Sequence, residues 1–281
     1  MADDPVLLTT QTDWGVRLTL NRPAKLNALD GSLVAALVAA FDAAEAHPDI
    51  RVVVLEGAGR AFCSGYDLTE EAGSDIAGPV AWRELLAADV AFTLRVLDSP
   101  KPVIAQIHGY ALAGGLELAM ACDLVVAAAG TMLGEPEIRY GSAPVTLLMP
   151  YLIGQKRTRE LLLTGDLIDA DEAERIGLVN RVVPLERLTA EVDALADRLA
   201  RTPPEVMAPT KRMLNRAMDA AGFRLAVEAG LDLGAIVNAA DTPEQREWDA
   251  IVRRDGLKAA LAWRDQRYDE RLADRGPKRS R

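Results

Sequence analysis

The sequence predicts an α/β fold in which strand–helix repeats are stacked and a helical region follows them. Three observations support this prediction. Short, wholly apolar runs have the composition of strands that are covered on both faces. A strand, a glycine-bearing turn and a helix recur at about fifty-residue spacing, which favours stacked repeats over one alternating dinucleotide-binding sheet. Beyond Pro184 only helical patterns occur.

The first strand and helix are predicted from two different periodicities. Over residues 14–20, apolar side chains alternate with other residues such as Arg17, which is the pattern of a strand with one buried face. Over residues 32–46, apolar side chains recur at helical spacing. Either Asp30 or Ser32 is placed to cap the start of that helix.

The later strands are apolar throughout, as expected of strands inside a parallel sheet. They cover residues 52–55, 103–107 and 124–128. Helical patterns over residues 80–97 and 116–121 connect them.

The end of the chain is predicted to be entirely helical. Helical patterns cover residues 185–200, 204–220, 223–240 and 243–253. We therefore expect a core with the active site over residues 1–201 and a helical oligomerisation subdomain over residues 202–281.

Composition excludes several classes of protein. The 281 residues are 49% hydrophobic and 26% charged, and no apolar run approaches the roughly 18 to 20 residues of a membrane-spanning helix. A net charge of −10 disfavours nucleic-acid binding, because it repels a phosphate backbone. The aromatic content of 5% disfavours an aromatic cage. Four basic residues near the end of the chain are interpreted as a solvated tail: Arg275, Lys278, Arg279 and Arg281.

The amino terminus and the cysteines indicate a cytoplasmic protein. Asp3 and Asp4 stand where a secretory signal would carry positive charge. In a reducing compartment, Cys63 and Cys122 are expected to form neither a disulfide nor a structural zinc site.

Familiar catalytic and nucleotide-binding motifs are absent from the sequence. No G-x-S-x-G nucleophile elbow surrounds Ser64, and the pair Gly114–Gly115 completes neither a phosphate-binding loop nor a dinucleotide fingerprint. Of the two histidines, His47 is expected in a surface loop and His108 in packing at a strand end. A serine hydrolase and nucleotide-dependent chemistry therefore fit poorly.

Two glycine-bearing turns and two glutamates are the candidate site. The turns, at residues 61–68 and 109–118, follow buried strands, and the second leads into a helix whose first amides suit a developing oxyanion. Glu117 interrupts an apolar run there, so we expect a buried carboxylate that acts as an acid or base. Glu137, in a constrained turn, is the second candidate, and Glu135 is its alternative.

Six segments, which include the two turns, carry recognisable motifs: residues 21–29 (NRPAKLNAL), 62–68 (FCSGYDL), 101–105 (KPVIA), 109–123, 163–166 (LTGD) and 173–179 (AERIGLV). Through these segments the chain resembles the crotonase superfamily, also called the enoyl-CoA hydratase/isomerase family, over nearly its whole length. The resemblance implies a spiral of repeated ββα units with a carboxy-terminal helical region that assembles homotrimers or dimers of trimers. It also implies a small-molecule acyl-CoA substrate, with no metal or redox cofactor.

The same resemblance implies roles for individual residues. The backbone N–H groups of Tyr66 and Gly114 would form an oxyanion hole for the thioester oxygen, and Glu117 and Glu137 would hold a water that adds to the double bond. Arg22 and Lys25 would offer positive charge to coenzyme A, and Arg264 would reach a ligand of a neighbouring subunit. The implied substrate and coenzyme A contacts are Ala24, Lys25, Leu26, Ala61, Ser64, Gly65, Asp67, Leu68, Tyr110, Leu112 and Gly115.

One segment departs from the family pattern and leaves alternatives open. Residues 139–150 replace the glycine-rich stretch, ending in threonine, glutamine and arginine, of many hydratases. We therefore expect an enoyl-CoA hydratase, a lyase. The alternatives are an isomerase or a hydratase of a specialised acyl-CoA on the same scaffold, a non-catalytic acyl-CoA-binding protein, and a serine hydrolase that uses Ser64.

Overall fold

The computed structural model describes residues 4–72, 76–144 and 146–273. The first three residues and residue 145 lie outside these ranges. So does the predicted basic tail at Arg275, Lys278, Arg279 and Arg281.

The strands form two sheets. In chain order they are β1 (Leu7–Thr12), β2 (Gly15–Leu20), β3 (Val52–Gly57), β4 (Val103–Ile107), β5 (Tyr110–Leu112), β6 (Leu124–Ala128), β7 (Met132–Gly134), β8 (Ile168–Asp169) and β9 (Arg181–Val183). The larger sheet has the order β1-β2-β3-β4-β6-β9, antiparallel between β1 and β2 and parallel elsewhere. The smaller sheet has the order β5-β7-β8. From β4 onward, each successive pair of strands (β4 and β5, β6 and β7, β8 and β9) places one strand in each sheet, which agrees with the predicted stacked repeats.

The helices account for most of the remaining chain. They are α1 (Gly31–Ala46), α2 (Leu68–Ala72), α3 (Gly78–Leu97), α4 (Gly114–Ala121), α5 (Met149–Ile153), α6 (Gln155–Thr164), α7 (Ala170–Arg175), α8 (Leu185–Ala200), α9 (Pro204–Ala220), α10 (Phe223–Asn238), α11 (Pro243–Asp255) and α12 (Leu257–Ala273). Two 3-10 helices cover Pro23–Lys25 and Pro136–Tyr140. Of the two candidate caps of α1, Asp30 is the one observed, since its side chain accepts a hydrogen bond from the Leu33 N–H at 2.8 Å.

The large sheet is covered on both faces. One face packs, together with α1, α3, α4 and α10, into the main hydrophobic core. The other face packs against α8 through Val52, Val54, Ile104 and Val126. The prediction that β2 has one exposed face is therefore wrong, because α8 covers it.

Arg17 shows the consequence of that second layer. It is only 9% exposed, and its guanidinium contacts Glu56 at 2.7 Å, Gln106 at 2.8 Å and Asp193 of α8 at 2.6 Å. At this position the alternating pattern therefore places a charged side chain that is buried and paired inside the protein, and not one that is exposed to solvent.

The carboxy-terminal helices pack on the repeats. Phe223, Val227 and Leu231 of α10 belong to the main core, and α10 lies along α3. Trp248 of α11 forms a separate cluster with α12. The division at residue 201 stays a prediction. None of the helices in the described ranges is long and apolar enough to span a membrane.

Candidate active site

The candidate active site is a cavity of about 450 Å³ beside the turns that follow β3 and β4. Its other walls come from α2, α3 and α4, from the 3-10 helix after β7 and from the corner between α10 and α11. Six predicted site residues line it: Ser64, Tyr66, Leu68, Gly114, Glu117 and Glu137. The structure therefore brings both predicted carboxylates and both predicted oxyanion residues into one cavity.

The two glycine-bearing turns lie side by side. The Cys63 N–H donates to the Tyr110 carbonyl at 3.1 Å, and the Leu112 N–H donates to the Cys63 carbonyl at 3.0 Å. A Cβ on Gly115 would lie 2.5 Å from that same Cys63 oxygen. Glycine at 115 therefore allows α4 to approach the first turn.

Tyr66 and Gly114 are in direct contact. A Cβ on Gly114 would lie 2.5 Å from Tyr66 Cε2. Gly114 begins α4, and the first amides of a helix have no acceptor within it. In the part of the chain that the structure describes, neither residue donates a hydrogen bond from its backbone N–H. Both donors thus suit the predicted oxyanion role, which stays a prediction.

The Tyr66 side chain packs inside the site. Its hydroxyl donates to the Asp89 carbonyl at 3.3 Å. Burial, with the charges of Asp89 and Glu117, raises the pKa of the Tyr66 phenol well above its ordinary value. The ring is therefore a neutral wall of the cavity at physiological pH.

Glu117 is buried in the first turn of α4, as the sequence predicts, with 6% of its surface exposed. The Thr146 hydroxyl donates to Glu117 Oε2 at 2.7 Å, and the Thr146 N–H donates to Oε1 at 3.2 Å. Two donors from one residue hold the plane of the carboxylate.

Glu137 lies in the 3-10 helix after β7 and lines the same cavity. Glu135, its alternative, is 3% exposed and does not line the cavity. Burial raises the pKa of Glu135 well above its ordinary value, and the charges of Glu117 and Glu137 raise it further. The geometry thus favours Glu137 over Glu135 as the second reacting carboxyl group.

Several predicted coenzyme A contacts lie together next to the first turn. The Ser64 N–H donates to the Leu26 carbonyl at 3.1 Å, and the Ser64 hydroxyl donates to the Lys25 carbonyl at 3.4 Å. Ala24 and Lys25 end a 3-10 helix, and the Lys25 side chain is 52% exposed. Lys25 is therefore placed to offer positive charge to a ligand.

Arg22 differs from the expectation. Its guanidinium lies 2.8 Å from Asp30 Oδ2 and 3.0 Å from Asp67 Oδ2, and its side chain is 16% exposed. Although burial opposes ionisation, hydrogen bonds from Thr69 and Arg22 hold the pKa of Asp67 below its ordinary value. The charge of Arg22 is thus compensated inside the protein.

The remaining predicted contacts lie around the turns rather than on the cavity wall. They are Ala61, Gly65, Tyr110 and Leu112. Arg264, on the last helix as predicted, has a 14% exposed side chain and pairs with Asp265 at 2.7 Å.

No histidine contacts Ser64 among the hydrogen bonds of the described residues. The His108 ring bonds the Gly59 carbonyl at 2.9 Å, and His47 follows the last residue of α1 at the surface. A serine nucleophile would need an adjacent base. This geometry argues against the hydrolase alternative.

The structure shows an aromatic wall that the composition does not predict. Tyr66, Trp82, Tyr140 and Trp248 all line the cavity, and the rings of Tyr140 and Trp248 stack with centroids 4.9 Å apart. These aromatic residues are far apart in sequence and converge there; the expectation against an aromatic cage stays a prediction. Only tertiary packing brings these positions together, so no local signal identifies them.

In the ranges described above, no group of three or more His, Cys, Asp or Glu side chains has an arrangement that could hold a metal ion. Cys63 and Cys122 are buried free thiols, and burial raises the pKa of Cys63 to about 12. Both thiols are therefore unreactive as nucleophiles at neutral pH.

The chain as a whole is similar to known proteins. Residues 15–240 match the family model described as enoyl-CoA hydratase/isomerase. A Thermus thermophilus protein that carries the name of an enoyl-CoA hydratase is 38% identical over 223 residues, which is 78% of this chain and 86% of that protein.

Solved structures extend the likeness to the fold. The crystal structure of an enoyl-CoA hydratase/isomerase from Xanthobacter autotrophicus Py2 has a TM-score of 0.90 and 40% identity, covering 93% of this chain and 98% of its own. That of an enoyl-CoA hydratase from Mycobacterium smegmatis has a TM-score of 0.85 and 29% identity, covering 93% of each chain. The predicted fold class is confirmed.

Proposed function

Because the chain belongs to the enoyl-CoA hydratase/isomerase family, we propose that it is an enoyl-CoA hydratase, which reversibly adds water in syn geometry to a 2-trans-enoyl-CoA thioester. One observation carries this proposal above all. Glu117 and Glu137 line the same cavity as Tyr66 and Gly114, so two carboxyl groups and two backbone donors can face one thioester.

The two glutamates divide the proton transfers. Glu117 takes a proton from water while the water oxygen bonds to C3 of the enoyl group. Attack at C3 moves the electron pair of the double bond into an enolate. Glu137 then gives a proton to C2 of this enolate. Protonation of the two carboxyl groups is then restored from solvent. The net change is one added water, and hydration transfers only protons and electron pairs, so no metal or redox cofactor enters the proposal.

The N–H groups of Tyr66 and Gly114 stabilise the enolate. They donate to the thioester oxygen, on which negative charge accumulates as C3 is attacked. Removal of one such donor typically costs roughly 3 to 4 kcal/mol of transition-state stabilisation. The helix dipole of α4 acts in the same direction.

Coenzyme A would lie along Ala24–Leu26 and the turn from Ser64 to Leu68. Lys25 supplies an exposed positive charge next to these residues. A polyanionic ligand needs such a local charge, because the protein as a whole has a net charge of −10.

We also propose a cytoplasmic homotrimer or dimer of trimers assembled through the region after residue 201. Large apolar side chains exposed on α9 and α10 support an assembly surface there: Met213, Leu214, Leu225, Leu233 and Ile236.

The decisive assay follows loss of enoyl-thioester absorbance with crotonyl-CoA and longer 2-enoyl-CoAs, with mass detection of one added water. We expect turnover by the wild type, none by Glu137→Gln or Glu117→Gln, and unchanged turnover by the exposed control Glu160→Gln. Double-bond migration in a 3-enoyl-CoA without water addition to any 2-enoyl-CoA would replace the proposal with an isomerase. Binding without either reaction would indicate the non-catalytic alternative.

A further inference from the structure

The wall of the cavity beyond the reacting carbons is polar, and it points to a substrate class. We infer that the acyl group of the substrate ends in a hydroxyl bound between Asn238 and Asp249, and that acyl groups ending in a carboxylate are excluded. This inference rests on the proposed function, since it takes the thioester to lie at Tyr66 and Gly114.

The corner between α10 and α11 is fixed to the segment that follows Glu137. Gln245 Nε2 donates to the Gly141 carbonyl at 2.7 Å and to the Val237 carbonyl at 3.0 Å. The Ser142 hydroxyl donates to Asn238 Oδ1 at 3.0 Å. These contacts hold the α10–α11 corner as a preformed wall of the cavity.

Asp249 is the acceptor on this wall. It lies one turn after Gln245 on α11, and residues four apart on a helix share a face, which here faces the cavity. Asp249 is partly buried and, among the described residues, accepts no hydrogen bond. Burial raises its pKa, and the charge of Asp241 adds to this while that of Arg253 opposes it. A ligand donor would give this carboxylate the hydrogen bond that the protein does not.

Asn238 is the complementary donor. Its Oδ1 is occupied by the Ser142 hydroxyl, and in the same described ranges its Nδ2 makes no hydrogen bond. A hydroxyl can donate to Asp249 and accept from Asn238, whereas an ammonium has no lone pair to accept with.

The charges around the cavity define what is excluded. Five acidic side chains line it, and no lysine, arginine or histidine does so among the described residues. They are Asp89, Glu117, Glu137, Asp249 and Asp241, of which Asp241 is paired with Arg246 at 2.8 Å. A terminal carboxylate on the acyl group would be repelled at short range, where water screens poorly. Trp82, Leu86 and Trp248 supply apolar walls for the methylene chain that precedes a terminal hydroxyl.

The test compares three trans-2-enoyl-CoAs of equal chain length that end in methyl, hydroxyl or carboxylate: hex-2-enoyl-, 6-hydroxyhex-2-enoyl- and 5-carboxypent-2-enoyl-CoA. We expect kcat/KM about 10-fold or more higher for the hydroxyl than for the methyl substrate, as for a hydrogen bond to a charged group. The carboxylate substrate should be turned over more slowly than both. Asp249→Asn should reduce the hydroxyl preference and relieve the discrimination against carboxylate. Asp255→Asn, at the end of the same helix and paired with Arg254, is the matched control and should leave all three values unchanged.

Calorimetric binding of the saturated hexanoyl-, 6-hydroxyhexanoyl- and 5-carboxypentanoyl-CoAs separates this inference from the proposed function. If no enoyl-CoA is hydrated, the hydratase proposal fails, yet tighter binding of the hydroxyl ligand that Asp249→Asn weakens still supports the inference. Equal binding and turnover of the methyl and hydroxyl ligands, or a preference for the carboxylate, overturns it.

Discussion

Thr146 donates to both carboxylate oxygens of Glu117, from its hydroxyl at 2.7 Å and from its backbone N–H at 3.2 Å. Thr146 is fully buried and lies in the segment that departs from the family pattern. This segment therefore still contacts the site, because Thr146 orients the Glu117 carboxylate that we propose as the base. Thr146 is a positioning residue, since it acts through Glu117.

Replacing the Thr146 hydroxyl should slow the chemical step. We expect Thr146→Val to lower kcat by about 10- to 100-fold with KM little changed, because a hydrogen bond to a charged group contributes roughly 1.5 to 3 kcal/mol. Steady-state kinetics with crotonyl-CoA measure kcat and KM separately. Thr146→Ser should recover most of the activity, and the exposed control Thr210→Val should match the wild type. A Thr146→Val enzyme with normal kcat would show that the backbone donor alone positions Glu117.

The sequence predicts well what is encoded locally. The bounds of β4, β6, α8 and α9 agree with the predicted ranges, because apolar runs and helical periodicity determine them. β1 is not predicted, since Leu7–Thr12 is largely exposed at the sheet edge and has no apolar pattern. The covered second face of β2 is missed for another reason: α8, more than 160 residues later, supplies the partner of Arg17.

The candidate site divides in the same way. Glu117, Glu137 and the two turns are local motifs and can be identified from sequence. Trp82, Asn238 and Asp249 reach the cavity, and Thr146 reaches Glu117, only when distant elements pack, so their roles follow from the structure.

Gly115 should tolerate no side chain. A Cβ would lie 2.5 Å from the Cys63 oxygen and 2.8 Å from its carbonyl carbon, both backbone atoms that cannot turn aside. We expect Gly115→Ala to lower the free energy of unfolding by about 1 to 3 kcal/mol and to lower kcat, since α4 carries Gly114. Urea unfolding and crotonyl-CoA kinetics measure the two effects. Gly31→Ala is the control, because its nearest atom would be a Glu70 side-chain oxygen at 3.8 Å. Equal stability of both variants would contradict the close approach.

Glu135 should make stability depend on pH. Burial, with the charges of Glu117 and Glu137, raises its pKa in the folded state above the ordinary 4.5. The folded state then binds more protons than the unfolded state above that value, so the free energy of unfolding falls as pH rises through the interval up to the raised pKa. Glu135→Gln removes this fall in the free energy of unfolding, because glutamine does not titrate. We expect it to stabilise the protein at pH 8 and not at pH 4, measured by urea midpoints, with the exposed Glu160→Gln as control. A Glu135→Gln effect of the same size at both pH values would refute the assignment.

Arg17 should be required for the layer between the large sheet and α8. Arg17→Ala leaves Glu56 and Asp193 without their shared cation, and breaking a buried pair costs about 3 to 5 kcal/mol. Because Asp193 is 45% exposed, we expect Arg17→Ala to lower the free energy of unfolding by a smaller amount, about 2 to 3 kcal/mol, measured by urea unfolding. The control is Arg201→Ala, whose pair with Asp197 is exposed and should contribute less than about 1 kcal/mol. If the two variants are equally stable, the Arg17 contacts add no more than a surface pair, and the apolar contacts of α8 alone hold this layer.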